Sequence, residues 1–514
     1  MKRERWNPAL TRASRYARAI LVALVAAAAP SSGFGLTLAP GFTYDALPFA
    51  FDYPTKMVFM PDGRMLVAEK GGIVYVVSGG ARQPLWVREE EVLNTDDRGL
   101  LSIAVDPNYS ENRYLYFLYT CDPDSNGIEL DNSNDAYARL TRYQMSAADS
   151  EVIDYSSRTV LLGVSWNQGF PSGSGTHTIA DLEWGRDGTL LVGAGDGAHF
   201  EVMDSGGLDP GLFTPGRVDP IEDIGAFRSQ FLGSQNGKIL RIDPATGWGL
   251  PSNPFWDGDP TSTASRIWAY GLRNPFRIAR RPFTGSLDPA AGSPGTLYVG
   301  DVGWMIWEEV DVVNGPGQNF GWPCFEGPLA QPEYQSASPV HSGCGTLGSP
   351  GNPSPARGPL AAFHHEDPAA SVPPGLPGYV VIGGIFTDAR GWPREYRSRY
   401  VCADHLAGWI RVLETNAQDQ LVSSLDLASG AQGPVSFAND PATGDLWYVS
   451  LWTGEVRRIR YEGTVGVEAG PVSDPVLLSE PLPQPARERV TMSLTLREAC
   501  AARFEIYEVS GRKI

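Results

Sequence analysis

Hydrophobic residues in this chain occur in short runs separated by turn residues, and one arrangement recurs along most of its length. In "KMVFMPDGRMLVAEKGGIVYVV" (residues 56–77) three apolar runs are separated by a Pro-Asp-Gly turn and a Gly-Gly pair. Such a pattern predicts a small antiparallel sheet. Stretches of this kind cover residues 56–77, 99–120, 175–197, 294–313, 379–413 and 435–461.

Six small sheets predict an all-β protein, and a radial arrangement as a six-bladed β-propeller would protect their strand edges. The copies are unevenly spaced, which long inserts at residues 122–135, 200–231 and 328–377 would explain. Two unrelated β domains are the alternative that the pattern leaves open. The composition agrees with many short strands and turns, because 514 residues include 58 glycines, 42 prolines and only 19% charged residues.

The first 35 residues predict an export signal. Basic residues precede an eleven-residue apolar run at 19–29, and small residues follow it. This run is too short to span a bilayer as a helix, although an uncleaved N-terminal anchor is the alternative. No later segment has the composition of a membrane span. We therefore expect a secreted or periplasmic protein with no membrane span in the mature chain.

The C-terminal region differs from the repeated part. Residues 466–489 are rich in Pro, Ser and Glu, which is typical of a linker. Residues 490–514 alternate like two strands, and "FEIYEVSGRKI" resembles the opening of small Ig-like modules at the C-termini of some secreted bacterial proteins. The predicted organisation is a signal peptide (1–35), a propeller (36–465), a linker (466–489) and a partial C-terminal Ig-like module (490–514).

Charge narrows the range of partners. The net charge is −18, and without residues 1–35 it becomes about −23, because that segment is strongly basic. Such a surface repels phosphate backbones, so we expect no nucleic-acid partner. Calcium is a more natural partner for an exported acidic protein.

The five cysteines indicate one disulfide, with Cys121–Cys402 as a weaker second pairing. Cys324 and Cys344 lie twenty residues apart across a loop rich in Pro, Gly and Ser, and we expect them to pair. The odd number of cysteines leaves at least one free thiol. No Cys-x-x-Cys spacing is present that would favour a zinc or redox site of that kind.

Three stretches carry candidate chemistry. His177 precedes a tight β pattern that ends at Asp196, so a neutral imidazole could act as a general base oriented by a carboxylate. The alternative is a histidine held by local backbone groups. In "YGLRNPFR", Arg273 and Asn274 suit an anionic or carbonyl-bearing ligand, unless the arginine pairs with an acid inside the sheet.

The third stretch, "GDVGWMIWEEVDVV" (residues 300–313), combines glycines with acids. Backbone carbonyls near Gly303, together with Asp301 and Glu308, offer the oxygen ligands that calcium prefers. The alternative is that these acids pair with arginines.

Taken together, several motifs resemble the soluble glucose/sorbosone dehydrogenase family, which includes aldose sugar dehydrogenases and the related domain of Hedgehog-interacting-type proteins. The resemblance extends over residues 36–462, with the motifs in the family's order. They are "GLLSIAVDPNY", "HTIADLEWGRDGTLLVGAGDG", "GLRNPFR", "GDVGWMIWEEVDVV", "NFGWPCFEG" and residues 383–410.

This resemblance implies a six-bladed propeller that holds pyrroloquinoline quinone (PQQ) and calcium above its tunnel. A histidine, matched by His177, would take the proton of the anomeric hydroxyl of an aldose, and the electrons would pass through the quinone to an external acceptor. Asp196 matches the supporting acid, Arg273 and Asn274 match residues that contact the cofactor, and the Gly303 carbonyl matches a calcium ligand.

The sequence departs from the family at several cofactor positions. Thr176 stands where active members usually have an acid, and Arg98 lies near the place of a glutamine. The lysine expected near Leu406 is absent, and Pro434 and Ser436 occupy the region where two arginines are expected. PQQ carries three carboxylates, so two hypotheses stand. One is a PQQ- and calcium-dependent sugar dehydrogenase, and the other is a calcium-stabilised propeller that binds carbohydrate or protein without turnover.

Overall fold

In the computed structural model, the residues described are 35–122, 135–149, 151–337, 344–347, 356–389, 391–463 and the short strands Leu477–Leu478 and Leu494–Thr495. The chain divides into two compact units, Met1–Gly463 and Thr464–Ile514. The predicted signal peptide lies outside the described residues except for Gly35, and the predicted linker and C-terminal module lie outside them except for the two short strands, which pair with each other. These domain boundaries stay predictions.

The first unit is built from six sheets of four or five strands, antiparallel except for one parallel edge strand, which confirms the predicted six-bladed β-propeller. Two strands precede the first sheet: β1 (Thr37–Leu38) and β2 (Phe42–Ala46). Sheet 1 contains β3 (Pro54–Phe59), β4 (Met65–Glu69), β5 (Ile73–Ser78) and β6 (Ala81–Val87). Sheet 2 contains β7 (Leu100–Val105), β8 (Tyr114–Cys121), β9 (Ala136–Met145), β10 (Ile153–Leu162) and β11 (Phe170–Ser172).

Sheets 3 and 4 are interleaved along the chain, because the last strand of sheet 3 follows the third strand of sheet 4 in the sequence. Sheet 3 contains β12 (Leu182–Trp184), β13 (Leu190–Ala194), β14 (Lys238–Ile242), β15 (Ile267–Tyr270) and β19 (Gln318–Asn319). Sheet 4 contains β16 (Pro275–Arg280), β17 (Leu297–Asp301), β18 (Trp307–Val313) and β22 (Ala361–His364). A hairpin of β20 (Phe325–Glu326) and β21 (Leu329–Ala330) lies between them in sequence.

The last two sheets incorporate the two N-terminal strands. Sheet 5 contains β23 (Val381–Phe386), β24 (Tyr400–Asp404), β25 (Ile410–Thr415) and β26 (Leu421–Ser429), with β1 at its edge. Sheet 6 contains β27 (Pro434–Asn439), β28 (Leu446–Ser450) and β29 (Val456–Tyr461). Its fourth strand is β2, which pairs with β29 in the register Phe42↔Tyr461 and thereby closes the ring.

Helical segments in the described residues are short. Three are α-helical: α1 (Tyr109–Asn112), α2 (Thr263–Arg266) and α3 (Pro332–Ser336). The 3₁₀ turns are Trp166–Gln168, Pro220–Glu222, Gly225–Ser229, Pro289–Ala291, Cys344–Thr346 and Arg394–Tyr396. Within the described residues, no helix has the length and apolar character needed to cross a membrane.

The first strand of each sheet lines the central tunnel. In ring order these inner strands are β3, β7, β12, β16, β23 and β27, and each contacts the next. Apolar side chains fill the spaces between neighbouring sheets. Between sheets 1 and 2, for example, Trp86 stacks on Phe117 with ring centroids 4.7 Å apart, and both are fully buried. Burial of such side chains is worth about 1.5–3 kcal/mol each.

A polar network crosses the tunnel. The Asp181 carboxylate, 1% exposed, accepts hydrogen bonds from Lys56 Nζ at 2.5 Å and Ser102 Oγ at 2.7 Å, while Arg277 lies 3.9 Å away. Arg277 in turn donates to the carbonyl oxygens of Thr55 and Val435. These residues lie on or directly beside the inner strands of five of the six sheets, so the network ties the ring together. At the C-terminal ends of the inner strands, the tunnel widens into a cavity of about 460 Å³.

The predicted disulfide is confirmed, because Cys324 and Cys344 are bonded. Cys121 and Cys402 are buried free thiols. Cys500 lies outside the described residues.

Asp311 on β18 provides a test of pH-dependent stability. It is fully buried, and neither carboxylate oxygen has a hydrogen-bond partner among the described residues. Burial first, and then the charge of Asp301, raise the pKa of Asp311 well above its usual range. Because the pKa of Asp311 is higher in the folded than in the unfolded protein, the free energy of unfolding falls as the pH rises above the unfolded-state pKa near 3.9. The total loss is about 1.4 kcal/mol for each tenfold difference between the two acid dissociation constants.

We therefore expect Asp311→Asn to be more stable than the wild type at pH 7 and equal to it below about pH 4. Urea unfolding at the two pH values measures the difference. The exposed Asp149 supplies a control, Asp149→Asn, which should change little at either pH. A wild type that is the more stable protein at pH 7 would contradict this account of Asp311.

Candidate functional site

The candidate residues meet at one end of the propeller. In each sheet, the loop that leads into the inner strand and the loop that joins the second and third strands lie at the same end of the ring, because neighbouring strands are antiparallel. We call this end the site face. His177 precedes β12, Asp196 follows β13, Arg273 and Asn274 precede β16, and Gly303 follows β17. The fold thus brings the predicted residues to one rim.

His177 and Asp196 form a buried pair. The Nδ1 atom of His177 lies 3.2 Å from Oδ1 of Asp196, and the two residues are 6% and 1% exposed. The backbone of His177 is left-handed, with φ of 52°, and its carbonyl accepts a hydrogen bond from the Gly197 amide. Gly195 packs so closely on this carbonyl that an added Cβ would lie 2.3 Å from the oxygen. The close packing fixes the position of the ring.

Hydrogen bonding indicates the protonation of the pair. Asp196 also accepts from the Ala198 amide and from Nε1 of Trp322, which favours the ionised carboxylate. A carboxylate beside Nδ1 selects the tautomer with hydrogen on Nδ1, which leaves Nε2 as an acceptor. Burial, and then the charge of Arg273, lower the pKa of His177. The ring is therefore neutral at pH 7 and can accept a proton or a hydroxyl hydrogen bond at Nε2.

Arg273 braces the adjacent loop. Its guanidinium donates to the carbonyl of Val302 at 2.9 Å and also to the carbonyl of Gly303. The Asp301 carboxylate accepts the backbone amides of Arg273 and Asn274, at 2.9 and 2.6 Å. The predicted cofactor and calcium residues are thus adjacent, but they bond to one another.

Glu308 makes a second histidine–carboxylate pair. Its Oε1 atom is 2.9 Å from Nε2 of His365, and its Oε2 atom accepts the amides of Val381 and Gly303. Glu308 is fully buried. His365 follows β22 and lies outside the motifs that carry the family resemblance.

The oxygen atoms expected to hold calcium are therefore engaged by donors. The Gly303 carbonyl faces a guanidinium, which would repel a divalent cation, and Asp301 and Glu308 are held by amides and by His365. In this arrangement the residues do not fit calcium.

Three other buried cations also donate to main-chain carbonyls around the site. Arg98 bonds to Ser172 and Ser174, Arg228 to Asp196 and Gly197, and the Lys238 ammonium to Arg228, Ser229 and Asn236. Side-chain cations thus hold the loops in the way a metal ion would.

The cationic cradle for PQQ is replaced by aromatic groups. Beside Leu406, where the family's lysine is expected, stands His405, and burial lowers its pKa to about 4. Its neutral Nε2 accepts a hydrogen bond from Nε1 of Trp452 at 3.2 Å. Gly433 precedes Pro434 in the region of the two expected arginines and packs on the indole, where an added Cβ would lie 2.9 Å from three ring atoms. This arrangement does not fit a tricarboxylate such as PQQ.

The rest of the site face is apolar and acidic. Large side chains are exposed in its loops, and they include Tyr53, Met305, Tyr379 and Trp452. Asp96 and Asp97 are exposed beside the loop that carries His177, where the amide of Asp97 donates to the Gly175 carbonyl. Isolated aromatic residues in loops carry no periodic signal, so the sequence motifs did not identify this surface.

Removal of the Arg273 side chain tests whether its guanidinium stabilises the adjacent loop in place of a metal ion. Arg273→Ala leaves the carbonyls of Val302 and Gly303 unpaired, and we expect a loss of about 2–4 kcal/mol in the free energy of unfolding. We further expect added calcium to raise the Tm of this variant more than that of the wild type. Thermal unfolding of both metal-stripped proteins, with and without calcium chloride, measures the two effects. If calcium raised the Tm of both proteins equally, this would contradict the interpretation that the guanidinium takes the place of a metal ion.

A six-bladed propeller with a buried His–Asp pair on its site face defines the class of this protein. Residues 51–342 match the sequence profile of the glucose/sorbosone dehydrogenase family. The chain belongs to this family, which confirms the resemblance seen in the motifs.

Curated relatives include both functional branches. An uncharacterised protein of Synechocystis is 27% identical over 56% of this chain and 60% of its own length. The mouse Hedgehog-interacting protein is 27% identical over 44% of this chain and 30% of its own length. The aldose sugar dehydrogenase YliI of Escherichia coli is 23% identical over 54% of this chain and 61% of its own length. The matches thus span less than two thirds of these relatives.

Solved structures share the fold. The PQQ-bound aldose sugar dehydrogenase of Streptomyces coelicolor superposes with a TM-score of 0.53 at 18% identity, over 82% of this chain and 99% of that one. The apo form of the soluble aldose sugar dehydrogenase of Escherichia coli gives a TM-score of 0.55 at 17% identity, with the same coverage. At these identities the likeness shows the propeller alone.

Proposed function

We propose that this protein is a carbohydrate-binding propeller whose site face holds sugar hydroxyls and sugar ring faces without PQQ-dependent turnover. The observation that carries the proposal is the His405–Trp452–Gly433 platform, which occupies the region where the family's cofactor-binding cations are expected. Family membership and the sugar-active relatives supply the ligand class.

The platform is suited to a sugar ring. Gly433 covers one side of the indole and His405 holds its N–H, while Trp452 remains 54% exposed. A fixed aromatic face offers apolar contact at little entropic cost. The His405 ring stays neutral above about pH 4, so the platform keeps its hydrogen bond at physiological pH.

His177 supplies the polar part of the site. Its Nε2 atom is an acceptor for a hydroxyl proton, since Nδ1 is bonded to Asp196. The acidic surroundings of Asp96 and Asp97 disfavour anionic ligands and tolerate neutral, hydroxyl-rich ones. A neutral sugar fits both features.

The test is calorimetric titration of the full chain with a panel of neutral aldoses and oligosaccharides. We expect saturable binding that weakens at least about tenfold in Trp452→Ala and in His177→Ala. Trp248→Ala is the matched control, because Trp248 is 47% exposed in a loop at the opposite end of the ring. Absence of sugar binding, or equal loss in the control, would overturn the proposal.

A second candidate is sugar oxidation, favoured by the buried His177–Asp196 pair with its neutral, acceptor-ready ring. A dye-reduction assay with added PQQ and calcium separates the two candidates. The platform predicts no turnover. Turnover that requires PQQ and disappears in His177→Ala would establish the dehydrogenase instead.

A further inference from the structure

A second polar cluster lies on the site face, in the loop that joins β13 to β14. Nε2 of His199 is 3.1 and 3.2 Å from the two carboxylate oxygens of Asp209. One ligand atom each from His199, Asp204 and Asp209 lies within 4.8 Å of the other two. Neither the sugar-binding platform nor the His177–Asp196 pair uses these groups.

The two carboxylates are buried and held in place. Asp204 is 2% exposed and accepts the amides of His199 and Gly206 at 3.1 and 3.0 Å. The Asp209 side chain is 10% exposed and packs on Gly173, where an added Cβ would lie 2.3 Å from Oδ2. The positions of both carboxylates are therefore set by the fold before any ligand binds.

The hydrogen-bonding capacity of Asp209 is only partly used. Asp209 is nine-tenths buried, and the described residues offer its two oxygens a single hydrogen-bonding group, the His199 ring nitrogen. One N–H cannot satisfy both oxygens. The buried guanidinium of Arg98 interacts electrostatically with Asp209, so what the cluster lacks is a partner for these oxygens rather than positive charge. A bound metal ion would occupy the free lone pairs.

We propose that His199, Asp204 and Asp209 bind zinc or a similar first-row divalent metal ion. An imidazole nitrogen with two carboxylate oxygens is a ligand set that zinc accepts, whereas calcium prefers six or more oxygen ligands. The His199 side chain is 34% exposed. Three protein ligands beside solvent leave the fourth tetrahedral position for water or a ligand group.

The test uses the metal-stripped full chain titrated with zinc chloride by calorimetry. We expect one zinc ion per chain at micromolar affinity or tighter, and at least about tenfold weaker binding in His199→Ala and in Asp209→Asn. His364→Ala is the histidine control, because His364 lies on β22 in another sheet, and it should bind zinc like the wild type. Thermal unfolding of each variant checks that it is folded.

Cobalt(II) provides a readout that needs no variant. Cobalt bound to the wild-type protein should show the intense visible absorption of a tetrahedral site, and zinc should displace it. Failure of the wild type to bind either ion would overturn the proposal, as would unchanged zinc affinity in a folded His199→Ala protein. These outcomes are independent of sugar binding at Trp452.

Discussion

Replacement of Asp181 by alanine is expected to lower the free energy of unfolding by about 3–5 kcal/mol. The substitution removes the carboxylate that accepts from Lys56 and Ser102 and leaves the buried charges of Lys56 and Arg277 without the carboxylate nearest to them. It also removes an acceptor for the Ile278 amide. Urea unfolding at pH 7 measures the loss.

The acid dependence of the same variant provides a second readout. Burial alone would raise the pKa of Asp181, but the charges of Lys56 and Arg277 hold it below its usual range. Its stabilising effect is therefore complete above the unfolded-state pKa near 3.9 and is lost as the pH falls below that value. The gap between wild type and Asp181→Ala should shrink on acidification, while the surface variant Asp149→Ala should follow the wild type throughout. A gap that widens in acid would contradict this role.

Gly303→Ala is expected to disrupt the turn beside the candidate site, with a loss of about 3 kcal/mol or more. A Cβ at this position would lie 1.5 Å from the carbonyl oxygen of Trp307, so the backbone must move. The movement would also disturb the carbonyl that accepts from Arg273. We therefore expect lower Tm and weaker sugar binding together.

The control for this substitution is Gly358→Ala, because a Cβ at Gly358 would have no neighbour within 4 Å. Thermal unfolding of both variants, followed by sugar titration of those that fold, provides the comparison. A Gly303→Ala protein with wild-type Tm would show that the turn can relax without cost.

The repeated pattern predicted the fold but not every strand assignment. Residues 56–77 and 435–461 correspond to the first three strands of sheets 1 and 6. The stretch 294–313 was expected to supply a whole sheet, yet it holds only β17 and β18. The inner strand of that sheet is β16, which begins within the Arg-Asn-Pro motif. A strand of six residues beside functional residues is too short for its pattern of apolar and polar positions to identify it alone.

Within the site, the sequence motifs named residues that the fold brings to one end of the propeller, but they did not fix the partners of these residues. His177 and Asp196 are nineteen residues apart and lie on loops of one sheet, so a local pattern could suggest their pairing. The partner of Glu308 is His365, which is 57 residues away and directly follows a different strand. The Arg273 guanidinium could either bind a ligand or brace a loop, and only the three-dimensional position of Val302 and Gly303 decides between them.

The pairing of β2 with β29 also dictates when the protein can finish folding. Phe42 is synthesised long before its partner Tyr461, so the early strand must remain without its final neighbour while the intervening sheets form. Contacts of such large sequence separation form slowly, and an unpaired strand edge can join another molecule in the meantime. A message truncated before the codon for Tyr461 would thus yield a ring with an open seam and a tendency to aggregate.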